Sequence, residues 1–436
     1  MRFIKANNTE ERVYTTDAAK MAGKRATIFG WVRKTRDLGS LMFIVLYDRF
    51  GEIQVTLKKG DKNFEMASKI SRESVLRVTG TVTKNEKAPG GIELNPDEIE
   101  VIARAESPLP LETDPKIKSE LDTRIDNRFI DLRKKENAAI FAIKDVIYRS
   151  FIEYLEKEGF TLMHTPCIIA AATEGGTNLF PLSYFDKEAF LVQSPQLYKQ
   201  MLMASTFDKV MIITPAFRAE EHNTIRHLNE CLQMDIETAF VKDEEGALKY
   251  AEGVINYIYK QVAEKCKEEL KALDRKLDVP KMPFKRMTYD DALKFLAKEG
   301  IKIEWGNDFT PEAEKMIGKH FNPVIVTKWP TDIRAFYSMP EPGREEVCRG
   351  YDMLIDGIEA MSGAQRVHDY RQLVDILKKR GMNPDNFKFY TDAFRFGMPS
   401  HAGWSFGLER LTMFICGLKN IREATLWPRD RTRLTP

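Results

Sequence analysis

The apolar positions of the chain change period several times, and each change marks an element. Between Ala26 and Ala105, short β-branched and aromatic runs alternate with polar residues over Ala26–Lys34, Leu41–Asp48, Glu52–Lys58, Val75–Lys84 and Gly91–Ala105. A period of two predicts five strands. The one helix-like piece, Asp61–Ser71, falls between the third and fourth, and that order predicts an OB-fold barrel, a platform for single-stranded nucleic acid. From Glu136 to Glu158 the period becomes helical, with Ile140, Ile143, Val146, Ile147, Phe151, Tyr154 and Leu155 along one face. A long amphipathic helix is expected there, running through Gly159 into a strand over Thr161–Thr165. Val210–Phe217 and Cys231–Phe240 read as two strands framing a polar loop. Asp356-Gly357 is a two-residue hairpin turn between apolar runs, pairing Ile355 with Ile358 and Leu354 with Glu359. Gly403–Leu411 reads as a strand leading into a helix.

At 436 residues the chain is too long for one ordinary core. The expected division is an α+β one. Residues 1–105 form the barrel domain and 106–135 a hinge, with Pro108 and Pro110 among dense charge. Residues 136–436 form a larger domain, an antiparallel β-sheet flanked by helices. Within it, about 243–330 reads as an insertion: a long charged helix, Glu244–Leu273, then a mixed α/β stretch. Lys265–Lys276 is expected to be a solvated face. The 67 lysines and arginines nearly cancel the 65 aspartates and glutamates, so a polyanion would be met by local patches. Five cysteines without CxxC or Cys/His ligand spacing imply reduced thiols. Met1–Thr16 is polar and no apolar run reaches membrane length, so a soluble cytoplasmic protein is expected.

Candidate chemistry gathers in the loop between the two framing strands: Arg218, Glu220, Glu221, His222, Arg226, His227 and Glu230. Arg218 and Glu220 project from one face of an extended backbone, as do Asp235 and Glu237. An arginine fork suits carboxylate and phosphate, although a solvated hairpin tip would also hold such charges. Gln196 and Lys199 share a face of the helix that Pro195 opens. Asp352 and Glu359 become diagonal neighbours on the second hairpin. Such a pair repels unless a cation lies between, either Mg²⁺ bound with phosphates or a partner arginine. In the barrel, Phe43 and Gln54 sit on consecutive strands beside Arg33, Lys34 and Arg36. That set suits splayed bases, unless Phe43 is a core aromatic.

The run Phe217-Arg218-Ala219-Glu220, followed by Arg226-His227-Leu228-Asn229-Glu230, resembles motif 2 of the class II aminoacyl-tRNA synthetases, in the form used by archaeal-type aspartyl enzymes. The likeness extends from the first strands to the last ten residues. It includes Leu121–Arg124 and Arg128–Arg133 in the linker. Ser362-Gly363-Ala364-Gln365-Arg366 and motif 3 at Gly403–Leu411 carry it further. The resemblance implies an ATP site of Arg218, Glu220, Arg226, His227, Glu359, Ser362, Gly407 and Arg410, with Arg218 and Arg410 catalytic. It implies an L-aspartate site of Glu174, Gln196, Lys199, Asp235 and Arg366, and Mg²⁺ on Asp352 and Glu359. Anticodon contacts would come from Arg33, Phe43, Gln54, Pro89 and Glu93, and a homodimer would form through the helix Glu136–Glu158 and the strand Thr161–Thr165 with Pro166, which resemble motif 1. The implied reaction is ATP-dependent formation of aspartyl-adenylate, then transfer to tRNA(Asp). Proline at position 89 matches relaxed members that also charge tRNA(Asn). Ala364, Met361, Ser405 and Cys231 depart from common residues of these motifs. An asparaginyl enzyme, a ligase acting without tRNA and a tRNA-binding module without catalysis are the competing readings; Lys199 with Glu221-His222-Asn223, the barrel, and the Asp352, Glu359, Arg366 set speak against them in turn.

Overall fold

A computed structural model describes residues 12–114, 116–170, 179–220 and 224–436. By contact the chain separates into two compact units, dividing at Glu112 and Thr113.

In the first unit the strands Arg25–Asp37, Leu41–Tyr47, Glu52–Lys58, Val75–Lys84 and Ile92–Ala103 close into a barrel. Closure runs through the third and fifth strands, which pair in parallel at Gln54 with Glu93 and Val55 with Leu94. The period of two sends Ile28, Val32, Ile44, Leu46, Ile53, Val55, Val78 and Leu94 into one apolar core cluster. The helix expected over Asp61–Ser71 shrinks to Phe64–Ala67, where Phe64, Met66 and Ala67 pack on the core; an apolar face this short sustains little more than one turn.

The second unit is built on an eight-stranded sheet. Its order is Lys285–Thr288, Val324–Thr327, Gly350–Ile355, Ile358–Gln365, His401–Gly407, Glu230–Ala239, Lys209–Phe217, Thr161–Met163. The outermost pair at each edge is parallel and the rest are antiparallel. The helices Lys135–Lys157 and Glu245–Lys265 cover one face. Their residues Ile143, Ile147, Phe151, Leu248 and Val254 pack with Met234, Ile236, Trp404 and Phe406 of the central strands. The intervening residues of those strands, Asp235, Glu237, Gly403 and Ser405, therefore face the other way. That second face carries the chemistry.

Two boundaries differ from the sequence-based expectation. The stretch read as an insertion does not stand apart: Lys285–Thr288 and Val324–Thr327 extend the main sheet, and Glu245–Lys265 is a core helix. Local periodicity cannot reveal which sheet a short strand joins. The solvated reading holds only for the tail of that helical stretch, Lys265–Lys276, where most residues are exposed. The hinge also divides, and residues from Thr113 on group with the second unit. Arg128 explains why. Its guanidinium is fully buried, and it donates to Asp131 Oδ2 at 2.7 Å and to the backbone carbonyls of Arg422, Thr425 and Leu426. A buried arginine needs its donors met, and the C-terminal stretch meets them.

All five cysteines are unbonded. Among the described residues no helix is long and apolar enough to cross a membrane.

Candidate active site

The strands Lys209–Phe217 and Glu230–Ala239 pair in simple register, from Val210 opposite Glu237 to Phe217 opposite Glu230. That register aligns Cys231, Gln233, Asp235 and Glu237 along the second face. The neighbouring strand sets Gly403 opposite Glu237 and Ser405 opposite Asp235. A Cβ at 403 would lie 2.1 Å from Glu237 Oε2, so only glycine lets that carboxylate lie flat on the sheet. Ser405 donates to Asp235 Oδ2 at 3.0 Å, which gives that departure from the common motif a structural use.

Two cations meet these carboxylates. Lys199, from the helix Gln196–Leu202, donates to Asp235 Oδ1 at 2.7 Å and lies 3.6 Å from Glu237 Oε2. Arg366, just past the strand Ile358–Gln365, donates to Glu237 from Nε at 3.0 Å and to the Gly403 carbonyl at 2.9 Å. All four charges are buried: Lys199, Asp235 and Glu237 are 0% exposed and Arg366 is 3%. Burial alone would lower the Arg366 guanidinium, but Glu237 more than offsets it, so Arg366 stays charged. Burial raises Asp235, while Lys199 and Ser405 hold it down. Gln196 accepts from Arg366 at 3.4 Å, and its amide nitrogen is buried with no partner among the described residues. The Gln233 amide oxygen, two residues from Asp235, is in the same state. Buried polar atoms of this kind call for a polar ligand. Sequence reasoning singled out Gln196, Lys199, Asp235 and Arg366 but gave Glu237 and Gln233 no role. The only available signal was the shared odd-numbered face. Glu174 lies outside the described residues.

A second group surrounds His227. Its imidazole is lowered by burial first and then by Arg410, with Arg218 and Arg226 acting in the same sense against Glu220. Four other residues expected at the nucleotide are therefore within electrostatic reach of this ring, and the surroundings are net cationic. Thr224 Oγ1 and His227 Nδ1 share a hydrogen bond at 2.6 Å. The Cys231 thiol is pushed up to about 11 by burial, within reach of Arg218 and Arg410. Gly407 caps the helix Leu408–Cys416, so Arg410 occupies its first turn, where the helix dipole favours anions. Arg410 also donates to the Glu359 carbonyl at 2.7 Å, tying that helix to the hairpin.

The hairpin turns at Asp356 and Gly357, both with positive φ, as a two-residue turn of this kind requires. Ile355 faces Ile358 and Leu354 faces Glu359, as expected; a bulge then sets Met353 opposite Met361 and Asp352 opposite Ser362. The expected cation on this carboxylate pair is in part an arginine. Arg334 donates to both Asp352 oxygens, at 2.8 and 2.6 Å, and to Ser362 Oγ at 2.9 Å. Sequence reasoning did not identify Arg334, because it reaches Asp352 from a loop rather than along a strand. The Glu359 carboxyl is pushed up by burial and then by Asp352, and held down by Arg410 and Arg334. Among the described residues no cluster of three or more His, Cys, Asp or Glu side chains could hold a metal unaided. A further carboxylate from the insertion, Glu314, approaches this group: its carboxyl is pushed up to about 7 by burial and Glu359, against Arg226 and Arg410.

In the barrel, Phe43 lies between the core residues Met42 and Ile44 on its strand and so points outward, half-buried. Gln54 and Glu93 are direct partners. The Glu93 carboxylate accepts from Gln54 at 3.3 Å, Thr56 at 2.8 Å and Asn85 at 2.8 Å. Arg33 is the extra residue of a bulge; its guanidinium lies 3.7 Å from the Tyr47 ring centroid and 3.5 Å from Glu52. Pro89 is exposed in the turn Pro89–Gly91.

Comparisons with known proteins agree with this arrangement. Residues 120–431 match the family described as tRNA synthetases class II (D, K and N), and residues 26–102 match the OB-fold nucleic acid binding domain. The chain is 50% identical to the aspartate–tRNA(Asp/Asn) ligase of Archaeoglobus fulgidus, over 98% of this chain and 100% of the relative. It is 48% identical to the Methanopyrus kandleri protein of the same name, over 97% and 99%. In fold it resembles the asparaginyl-tRNA synthetase of Pyrococcus horikoshii complexed with asparaginyl-adenylate, at TM-score 0.93 and 32% identity over 98% of this chain and 100% of that one. The aspartyl-tRNA synthetase of Entamoeba histolytica aligns at TM-score 0.87 and 33% identity over 97% and 93%. The family match over residues 120–431 and these near-full-length relatives place the chain among the class II aminoacyl-tRNA synthetases, in the archaeal-type aspartyl branch.

Proposed function

We propose that this enzyme activates L-aspartate with ATP and transfers the aspartyl group to tRNA(Asp) and also to tRNA(Asn). The observation that carries the amino-acid assignment is the convergence of Lys199 and Arg366 on one buried pocket beside the partnerless amide nitrogen of Gln196. Two cations and an amide donor match a side-chain carboxylate. An amide side chain would turn N–H donors towards them and leave groups unmet. The α-carboxylate oxygen attacks the α-phosphorus of ATP, giving aspartyl-adenylate and pyrophosphate. A ribose hydroxyl at the tRNA terminus then attacks the carbonyl and displaces AMP. No protein nucleophile is needed. Arg218 and Arg410 place fixed positive charge where phosphoryl charge develops, with Arg226 and His227 beside the polyphosphate. Glu220 is assigned to the adenine, and Ser362 and Gly407 to the same nucleotide. Mg²⁺ would be held by Glu359, by the lone pairs of Asp352 that Arg334 leaves over and by phosphate oxygens, and would supply charge neutralisation.

On the barrel, Phe43 is assigned to base stacking and Gln54 with Glu93 to base edges. The exposed Pro89 offers neither an N–H nor a cationic side chain to select a third anticodon base, which supports charging of both tRNAs. Arg33 is assigned to the same end of the anticodon. A homodimer through the region of the helix Lys135–Lys157 and a cytoplasmic location complete the reading.

The test is pyrophosphate exchange with aspartate, asparagine and lysine in turn, then charging of transcripts that differ only in the third anticodon base. Exchange with aspartate alone is expected, with both transcripts charged. Exchange with asparagine instead would overturn the amino-acid assignment. A preference of ~100-fold for tRNA(Asp), about 2.7 kcal/mol, would remove tRNA(Asn) from the reading.

A further inference from the structure

The helix Pro311–His320 lies in the stretch that the sequence presents as an insertion, yet it is fastened to the nucleotide side of the catalytic unit. Thr310 caps it, accepting from the Ala313 N–H at 3.3 Å, and Pro311 opens its first turn. Farther along, Gly318 packs on the hairpin turn so closely that a Cβ there would lie 2.2 Å from the Gly357 nitrogen. A Cβ on Gly357 would in turn lie 2.7 Å from Lys315 Cα. Asn322, just beyond the helix, brackets Asp356 by donating to its carboxylate at 2.6 Å and accepting from its N–H at 3.0 Å. The helix and the hairpin that carries Glu359 are thus one mechanical piece.

Glu314 stands in the first part of this helix, between the capped end and the clamp. Its Oε2 accepts from Arg226 Nη1 at 3.4 Å, with both side chains mostly buried at 18% and 19% exposed. The two partners are held very differently. Glu314 stands on a helix, whereas Arg226 stands in a turn at Ile225–Arg226, outside helix and strand. One of five guanidinium N–H groups faces Glu314, and the rest of the fork can meet phosphate oxygens. Glu359 and Arg410 are within electrostatic reach of the same carboxylate.

We propose that Glu314 is a positioning residue of the nucleotide site, holding the Arg226 guanidinium in place for the ATP polyphosphate, so that the inserted helix is a working part of that site. The inference rests on the assignment of Arg226 to ATP, and the two can fail separately. In pyrophosphate exchange with the full chain, Glu314→Gln is expected to raise KM for ATP about tenfold, in the range of a charged hydrogen bond. KM for aspartate should stay unchanged and kcat within about twofold. Glu314→Asp, which keeps the charge, should recover part of the loss. In an Arg226→Ala background, which itself raises KM for ATP, adding Glu314→Gln should change little, because its partner is gone. If Arg226→Ala leaves KM for ATP unchanged, the assignment of Arg226 fails first. If that variant is impaired but Glu314→Gln is silent or fully additive with it, the role of Glu314 is overturned. A fall in KM on Glu314→Gln would mean that the contact restrains Arg226 from ATP, which also overturns the proposal.

Discussion

The barrel and the large sheet both present a polar face for recognition, but they treat charge in opposite ways. In the barrel the buried carboxylates Asp48 and Glu73 are met by neutral donors from Thr15 and Tyr47, and Phe43, Gln54 and Glu93 sit half-buried on the outside, in reach of water. On the large sheet, Lys199, Asp235, Glu237 and Arg366 lie beneath the surface, each compensated by another. A half-exposed contact can be lost with water taking its place. A buried charge that loses its partner keeps its desolvation cost and gains nothing. The barrel should therefore tolerate substitution and adjust its preferences, whereas the sheet should fail abruptly.

The sharpest break of this contrast is Lys199→Met, which keeps length and removes charge. Aspartate activation should fall by roughly 2–5 kcal/mol, the cost of breaking a buried pair, or about 30-fold to several thousand-fold in exchange, while ATP still binds. Near-normal exchange by that variant would show that the buried charges are merely structural.

A second, somewhat smaller effect concerns pH. Burial lowers His401, behind the Glu237–Arg366 pair, from 6.5 to about 4. Between those values the unfolded chain binds the extra proton and the folded one does not. Stability should therefore be whole above about pH 6.5 and fall as pH drops towards 4, by roughly 3 kcal/mol in total. All six histidines lie beyond the barrel, from His164 onward, so the barrel has no share in this histidine-linked loss. Thermal unfolding of the wild type and of His401→Gln across pH 4–7 checks the point. An equal acid slope in the two would assign the loss to other groups.

The smallest effect belongs to the barrel. Phe43→Ala should weaken tRNA charging by about 1–3 kcal/mol, the cost of one lost stacking contact, through KM for tRNA. Amino-acid-dependent exchange should not change. A loss of exchange in this variant would mean that the two faces are not independent in the way their burial implies.

Much of this was legible along the chain because it depends on neighbours in sequence. A period of two placed the barrel strands, but whether Phe43 stacks a base or fills the core stayed open until the structure turned it outward. Asp356-Gly357 fixed the hairpin turn and the pairing of Leu354 with Glu359. The spacing of Gln196 and Lys199 put both on one helix face, and both are buried towards the polar face of the sheet. The bulge after Leu354 was not legible, since a bulge shows no period of its own.

What escaped are the partners from elsewhere. Arg334 neutralises Asp352 across a loop, and Glu314 meets Arg226 from 88 positions away. Glu237 looked no different from any strand carboxylate until Gly403 and Arg366 were brought beside it. The sequence by itself determined which residues of an element share a face, because backbone geometry alternates side chains regardless of what they meet. Only the tertiary structure decided which charges share a dry pocket, and so which carboxylates are already satisfied and which polar atoms still wait for a ligand. Strand order brings those residues together, and the energy of a buried charge depends almost wholly on its nearest partners.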